Sequence, residues 1–428
     1  MKRAAGLLLV VFLFAGAFVW GFATERFRIF PHGAIRRAAV ILGLRGWSDA
    51  LELRSPSPAL AALTSVPYLS GAIDPDASAK GVLVDEAKDV APGLNFFSTL
   101  GRGEAYLVDG AGKLRWRWTL EGFFSKGELK PGIDFGFTHL FPNGDVLAFV
   151  ERRGVYKLDR SSRLLWKHEA QSHHDAWVAG DGRIYALVHV TRRLPEIDSR
   201  LPSLLDEIEV LSQEGERQRV ISLYDALRPS PYAFLLPKTA GLSLETEADA
   251  VDVLHANHVE TFDGSQAARS PLFRRGNILV CMKNLNAVAI LDGETSAVLW
   301  LWGPTNLTLP HHPTIVEDGG VLLFDNGISR SQIVQVDPRT DGVTWRYAPP
   351  DQDFFSDIRG ACQRLSNGNT LVTLSQTGYA LEVTPSGRTV WKFANPAVRP
   401  DGFRDGIYRM TRYPDSALPF LGASAAGG

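Results

Sequence analysis

Two cysteines in 428 residues, Cys281 and Cys362, are too few for a disulfide framework, and their separation matches no zinc-ligand spacing. They read as buried thiols in strands, the other reading being a bridge between neighbouring strands or blades. An excess of either charge is also missing. The 45 basic residues face 47 acidic ones, so no field exists to gather nucleic acid or another polyanion, and no nucleic-acid partner is expected. Lysine-rich and serine-rich low-complexity tracts are absent as well, which confines expected disorder to the ends. What the chain has instead is 40 glycines and 10% aromatic residues, the composition of a packed body with many tight turns.

One long apolar run stands out. Ala4 to Ala23 carries no charge and has about the 20 residues that a helix needs to cross a bilayer. Lys2 and Arg3 precede it, which suits a short cytoplasmic N-terminus and export of everything after Glu25. Arg26, Arg28, Arg36, Arg37 and Arg45 follow it, and a strict count of basic residues favours the reverse topology. Residues 1–23 are therefore expected to be a membrane anchor or uncleaved signal. Residues 24–80, with Pro56, Pro58, Pro67 and Pro75, read as a juxtamembrane helix and linker.

From Gly81 a pattern returns about every 40 to 50 residues, the period of four-stranded propeller blades. Gly276-Asn277 opens a strand that leads to Ala289-Ile-Leu-Asp292-Gly293 and then Val298-Leu-Trp300. Gly320 leads likewise to Asp337 and Trp345, and Asn367-Gly368-Asn369 to Thr384 and Trp391. Earlier copies end in Trp116 and Trp166, and Asp181-Gly182 opens a sixth that a polar stretch from Thr191 to about Asp206 interrupts. The expected fold is all-β: a six-bladed β-propeller over residues 81–400, preceded by a single N-terminal transmembrane helix and followed by a C-terminal tail, 401–428. The tryptophans read as packing anchors between blades. A second insertion, Tyr224 to Ala250, contains a helix-permissive patch from Ser243 and is expected at the mouth of the channel.

Six of the ten histidines fall in three short clusters: His173-His174-Asp175, His255-Ala-Asn257-His258 and His311-His312-Pro313. Each precedes the glycine turn of its repeat, at the start of the third, fourth and fifth blades. Radial repetition brings equivalent positions around one channel, so three clusters in equal register point to a shared site. Asp175 and Asn257 stand where they can fix imidazole tautomers.

These pieces occur in a specific order: Asp252-Val-Leu-His255-Ala-Asn257, then Leu309-Pro-His311-His312-Pro, Phe324-Asp325-Asn326-Gly327 with Arg330 and Ser331, and Arg364-Leu-Ser-Asn367-Gly368-Asn369. Together they resemble the bacterial arylsulfotransferase family from about His173 to Asn395. The resemblance implies transfer of a sulfuryl group from an aryl sulfate donor to a phenolic acceptor through a sulfohistidine, with no nucleotide sulfate donor, metal or other cofactor. Carried over by position, His312 is the nucleophile and His255 the general acid/base. Asn257 is a sulfate ligand, and His173 or His174 a second ligand or proton-handling group. A neutral imidazole is a competent nucleophile near pH 7, and inward-pointing donors on rigid strands suit a sulfate.

One departure concerns charge. Where the family places an arginine after the His-x-Asn element, this chain has Lys283, which neutralises a sulfate without offering a planar fork. Arg330 and Arg359 are candidate substitutes from adjacent blades. The implied setting is a bacterial inner membrane with the propeller in the periplasm, as a homodimer or within a membrane complex. Two readings compete with the enzyme: a non-catalytic propeller serving as a binding or structural platform in a membrane-associated complex, and convergent imidazoles that bind zinc or copper.

Overall fold

The computed structural model describes residues 78–100, 102–120, 123, 135–236, 246–247, 250–349, 354–398 and 402–423. The apolar run at 4–23 and nearly all of the linker lie outside them. Among the described residues no helix is long and apolar enough to cross a membrane. Pro195–Ser199 belong to a separate small unit, of which only these residues, a turn, are described.

In the larger unit the strands form six sheets of four or more strands, antiparallel except where Ser203–Leu211 meets Ala250–Asp252. From the second to the sixth blade, the first strands in chain order are Phe135–Leu140, Ser172–Val178, Ala256–Thr261, Pro310–Ile315 and Ala361–Arg364. The first blade takes its equivalent strand from the other end of the chain, Ile407–Tyr413, paired with Leu94–Thr99. These six strands touch one another in a closed circle, which makes the sheets a propeller with the first strands innermost.

The ring is closed twice. Besides Ile407–Tyr413, Gly81–Asp85 adds a fifth strand to the outer edge of the sixth blade. The segment from 401 is therefore not a tail, as its sequence suggested. Two charged residues disguise the strand: Arg409 pairs with Asp175 at 3.2 Å and Arg412 pairs with Glu382, both inside the protein. The described residues of the Ser243 to Ala250 patch are also not helical, because Thr246–Glu247 pairs with Ala250–Asp252 as a strand.

Middle strands are sandwiched between neighbouring blades, so Val146–Val150, Ile278–Met282, Ala287–Leu291 and Val321–Asp325 are buried at every position. Burial on both faces explains their continuous apolar sequences. Outer strands such as Leu114–Thr119 alternate with solvent. Their tryptophans latch each blade to the next. Trp116 Nε1 donates to Arg160 O (2.7 Å), Trp166 to Gln213 O (2.9 Å), Trp300 to Asp341 Oδ1 (2.8 Å), Trp345 to Pro385 O (2.9 Å) and Trp391 to Gly110 O (2.9 Å). The third blade has no tryptophan there, and Arg219 replaces it by donating to Glu294 O (2.8 Å) and Ser296 Oγ (2.9 Å). In all six blades the acceptors lie at the turn before the outer strand of the following blade, so the latch runs around the whole ring. Each such hydrogen bond contributes about 1 kcal/mol.

Candidate functional site

Every outer strand carries one bulge, at the residue before its latch position, whereas the irregularities of the inner strands differ from blade to blade. Register shifts break the pairing of the first strand with its neighbour in five blades, at Tyr408-Arg409, Thr138, His173-Asp175, Asn257 and His312-Pro313. A bulge leaves residues out of the ladder and re-aims their side chains. Three histidines beside or within these bulges take left-handed backbone: His174 at φ 52°, His255 at φ 51° and His312 at φ 47°. Arg359, just before the inner strand of the sixth blade, does the same at φ 61°. Such a conformation is unfavourable for a residue with a Cβ and persists where surrounding structure enforces it, typically at functional sites.

His174, His312 and Arg359 meet in one small cavity. His174, Asn257, His311, His312, Arg359, Tyr408 and Arg409 line it, drawn from five blades. A larger hollow of about 630 Å³, lined by Phe123, Arg152, Arg153, Tyr156, Leu164 and Lys167 among others, has no imidazole. The chemistry-bearing groups are in the smaller one.

Hydrogen bonds assign the tautomers. His311 Nδ1 is 2.7 Å from Asn326 Oδ1 and 3.0 Å from Leu309 O. Asn326 cannot be turned over, because its amide donates to Ser356 O (2.7 Å) and Arg359 O (2.6 Å). Nδ1 of His311 therefore carries the proton and Nε2 the lone pair, with the Arg359 N–H nearby at 3.3 Å. His312 is the opposite case. The Cys362 N–H donates to its Nδ1 at 3.4 Å, which leaves the proton on Nε2. His255 donates from Nδ1 to Asp252, so Asp252, not Asn257, sets its tautomer. Asn257 donates to Pro310 O at 2.8 Å.

Burial keeps most of these rings neutral. His311 is held down to about 3 by burial and by the nearby Lys283 ammonium. His174, His255 and His312 are pushed well below the usual histidine value, burial being the largest cause in each; the next are His255 for His174, Lys283 for His255 and Arg409 for His312. His258 is the exception. Burial opposes its charge, but Asp175, 2.6 Å from Nδ1, and Glu260 outweigh it and raise the pKa. Its ring lies 4.6 Å from that of His312.

The residues singled out in the sequence are thus partly brought together. His312, His174 and Asn257 line the cavity. His255 stands behind His174, with ring centroids 4.8 Å apart. His173 is buried and faces Asp206 at 3.3 Å. Lys283 is buried, its backbone N–H on His255 O, and is not among the lining residues. Arg330 is exposed and does not line the cavity. The sequence singled out neither Tyr408 and Arg409, on the strand taken for a tail, nor the isolated His189 and Asp206. Both cysteines are buried and unbridged.

A family model described as arylsulfotransferase (ASST) matches residues 138–396, more than half of the chain and all of the histidine-bearing blades. The chain belongs to the arylsulfotransferase family. No curated protein matches this arylsulfotransferase-family chain. Among solved structures it is similar to a protein of unknown function from Bacteroides caccae, at 13% identity and TM-score 0.49, covering 75% of this chain and 98% of that one. It is also similar to a streptogramin B lyase, at 12% identity and TM-score 0.43, covering 80% and 96%. A third is BamB from Moraxella catarrhalis, at 12% identity and TM-score 0.33, covering 77% and 85%.

Proposed function

We propose that this protein transfers a sulfuryl group from a phenolic sulfate ester to a phenol through a sulfohistidine. The observation that carries the reading is the convergence, in one cavity, of neutral imidazoles on left-handed backbone with the Arg359 and Arg409 guanidiniums. A bare imidazole nitrogen attacks sulfur and the S–O bond to the donor breaks, its electron pair leaving on the phenolate; the His174–His255 pair handles the proton of the acceptor phenol. A second phenol then reverses these steps and restores the imidazole. Two displacements let donor and acceptor use the same pocket in turn.

Position in the family motif points to His312 as nucleophile, but its hydrogen bond leaves Nε2 protonated. The neighbour, His311, holds a bare Nε2 fixed by Asn326. We therefore assign the attack to His311 and give His312 the role of an N–H donor to the sulfate oxygens. Arg359 takes the place of the family arginine, with Asn257 beside it. Arg409 is already engaged by Asp175 at 3.2 Å, and Lys283 acts at a distance by keeping His255 and His311 neutral. The proposal includes residues 1–23 as the anchor and a periplasmic position for the propeller.

The test is exposure of the full chain to 4-nitrophenyl sulfate, followed by mass spectrometry of the parent and of His311→Ala and His312→Ala. The reading expects an adduct of one sulfuryl group, removed by phenol, in the parent and in His312→Ala but not in His311→Ala. Folded protein that forms no adduct and releases no nitrophenol would instead support the binding-platform reading.

A further inference from the structure

Behind the cavity, the third blade holds a buried cluster that the steps above do not use. His173, His189 and Asp206 come from three adjacent strands, with 1%, 7% and 0% of their surface exposed. His173 Nε2 and His189 Nε2 lie 3.3 Å and 3.5 Å from Asp206 Oδ1, the first an electrostatic contact without hydrogen-bond geometry. Two histidines and a carboxylate are a familiar metal set, but the ring geometry is wrong for one. The imidazoles stack 13° from parallel with centroids 3.6 Å apart. A ring lone pair lies in the ring plane, so an ion shared by both Nε2 atoms would sit far out of both planes.

The same geometry suits proton handling. His173 Nδ1 lies 3.0 Å from His174 Nδ1, so one proton is shared between the two nitrogens. A carboxylate at Nε2 of His173 favours the proton on that nitrogen and leaves Nδ1 as the acceptor. His174 then carries its own proton on Nδ1 and presents a bare Nε2. His174 lines the cavity. The stacked His189 holds the plane of the His173 ring. Asp206 also accepts the Ala256 N–H at 3.1 Å, next to the left-handed His255, so one carboxylate steadies both histidine turns.

We propose that Asp206, His173 and His174 form a relay that makes His174 Nε2 the base for the acceptor phenol, an inference that rests on the sulfuryl-transfer reading. As the phenol oxygen bonds to sulfur, the S–N bond of the sulfohistidine breaks and its electron pair returns to the imidazole. The phenol proton passes to His174, giving an aryl sulfate anion and one imidazolium. The donor's phenolate departs earlier as the anion, and the imidazolium then releases its proton to that phenolate or to water, which restores the resting His174. His174 is the catalytic residue, while His173 and Asp206 are positioning residues. The groups facing His174 are His173, His189, His255, His311 and Arg359. The Arg359 charge disfavours a lasting imidazolium, so the proton is held only briefly. The Val188 carbonyl also borders His173; if it captured the Nδ1 proton, the relay would be broken.

The test is long-range 1H–15N correlation on the full chain with labelled histidine, His174 being assigned by its absence in His174→Gln. The parent is expected to show His174 with Nδ1 protonated and Nε2 bare. In His173→Phe, which keeps an aromatic ring against His189, and in Asp206→Asn, that preference should be lost. The phenol-dependent loss of adduct should slow by about 100-fold, the usual contribution of general base catalysis, and depend more steeply on phenol acidity, which a purely structural role would not cause. A parent His174 protonated on Nε2, or tautomers and rates unchanged in both variants, would overturn the relay. So would one zinc ion per chain in the parent that is absent from Asp206→Asn. If the parent forms no adduct, sulfuryl transfer fails as a reading, and the tautomers of the parent and whichever variant folds still judge the relay.

Discussion

The outer and inner strands of this propeller obey opposite rules. Outside, the same tryptophan contact recurs in five blades and a guanidinium makes it in the sixth, so each blade does what its neighbour does. Inside, equivalent positions carry different residues: Tyr408-Arg409, Thr138, His174, Asn257, His312 and Ala361. Repetition at the rim supplies closure, and divergence at the axis gathers imidazole, amide, phenol and guanidinium groups in one cavity. Left-handed backbone occurs in both places, at Ser162, Ser296 and Asp341 in the rim turns and at His174, His255, His312 and Arg359 near the axis.

The comparison can be broken most severely at the axis. His311→Ala should abolish the sulfuryl adduct and lower turnover by about 10³-fold or more, because it removes the covalent carrier; steady-state kinetics with an aryl sulfate checks this. Arg359→Lys keeps the charge and loses the planar fork, and should lower kcat/KM by about 100-fold. The melting temperatures of the two variants should stay near that of the parent.

Acid should act on the inner strands through their buried imidazoles. His311 and His139 are depressed to about 3 and about 4, by burial together with the charges of Lys283 and Lys157. Below the ordinary histidine value of about 6.5 the unfolded chain binds protons that the folded one refuses. The stability these rings provide is full above that pH and is lost as pH falls towards their folded values, so a melting series from pH 7 to pH 4 should decline. His258, raised by Asp175 and Glu260 against the opposing effect of burial, has the reverse sign and loses its contribution as pH rises. Because the cavity histidines stay neutral, turnover of protein that remains folded should show no loss near pH 6.5.

The smallest effect belongs to the rim. Trp300→Phe deletes the 2.8 Å bond to Asp341 and a little packing, and should cost about 1–2 kcal/mol in denaturant titrations. Its turnover should stay within about twofold of the parent. A large kinetic effect would deny the separation of rim from axis.

The rim was more legible in the sequence than the axis. A tryptophan at a fixed place in each repeat announces the latch, whereas Arg219 gives no such sign and is recognised only by its acceptors. The histidine doublets pointed to three of the five blades that line the cavity, while Tyr408 and Arg409 of the first blade gave no sign. The doublets did not reveal which imidazole bears a bare nitrogen, since that follows from Asn326 and the Cys362 amide, far along the chain. Ile407–Tyr413 was hidden because its arginines find acidic partners in the interior. His189 and Asp206 face each other across a hairpin whose register no local pattern specifies.

The account rests on a histidine carrying the sulfuryl group, and tandem mass spectrometry of the rapidly quenched, full-length protein after mixing with 4-nitrophenyl sulfate tests this most directly. One sulfuryl group on the peptide containing His311-His312, localised to His311 and discharged by phenol, is the predicted result. Nitrophenol release with no labelled histidine, or a label on any other residue, would contradict it.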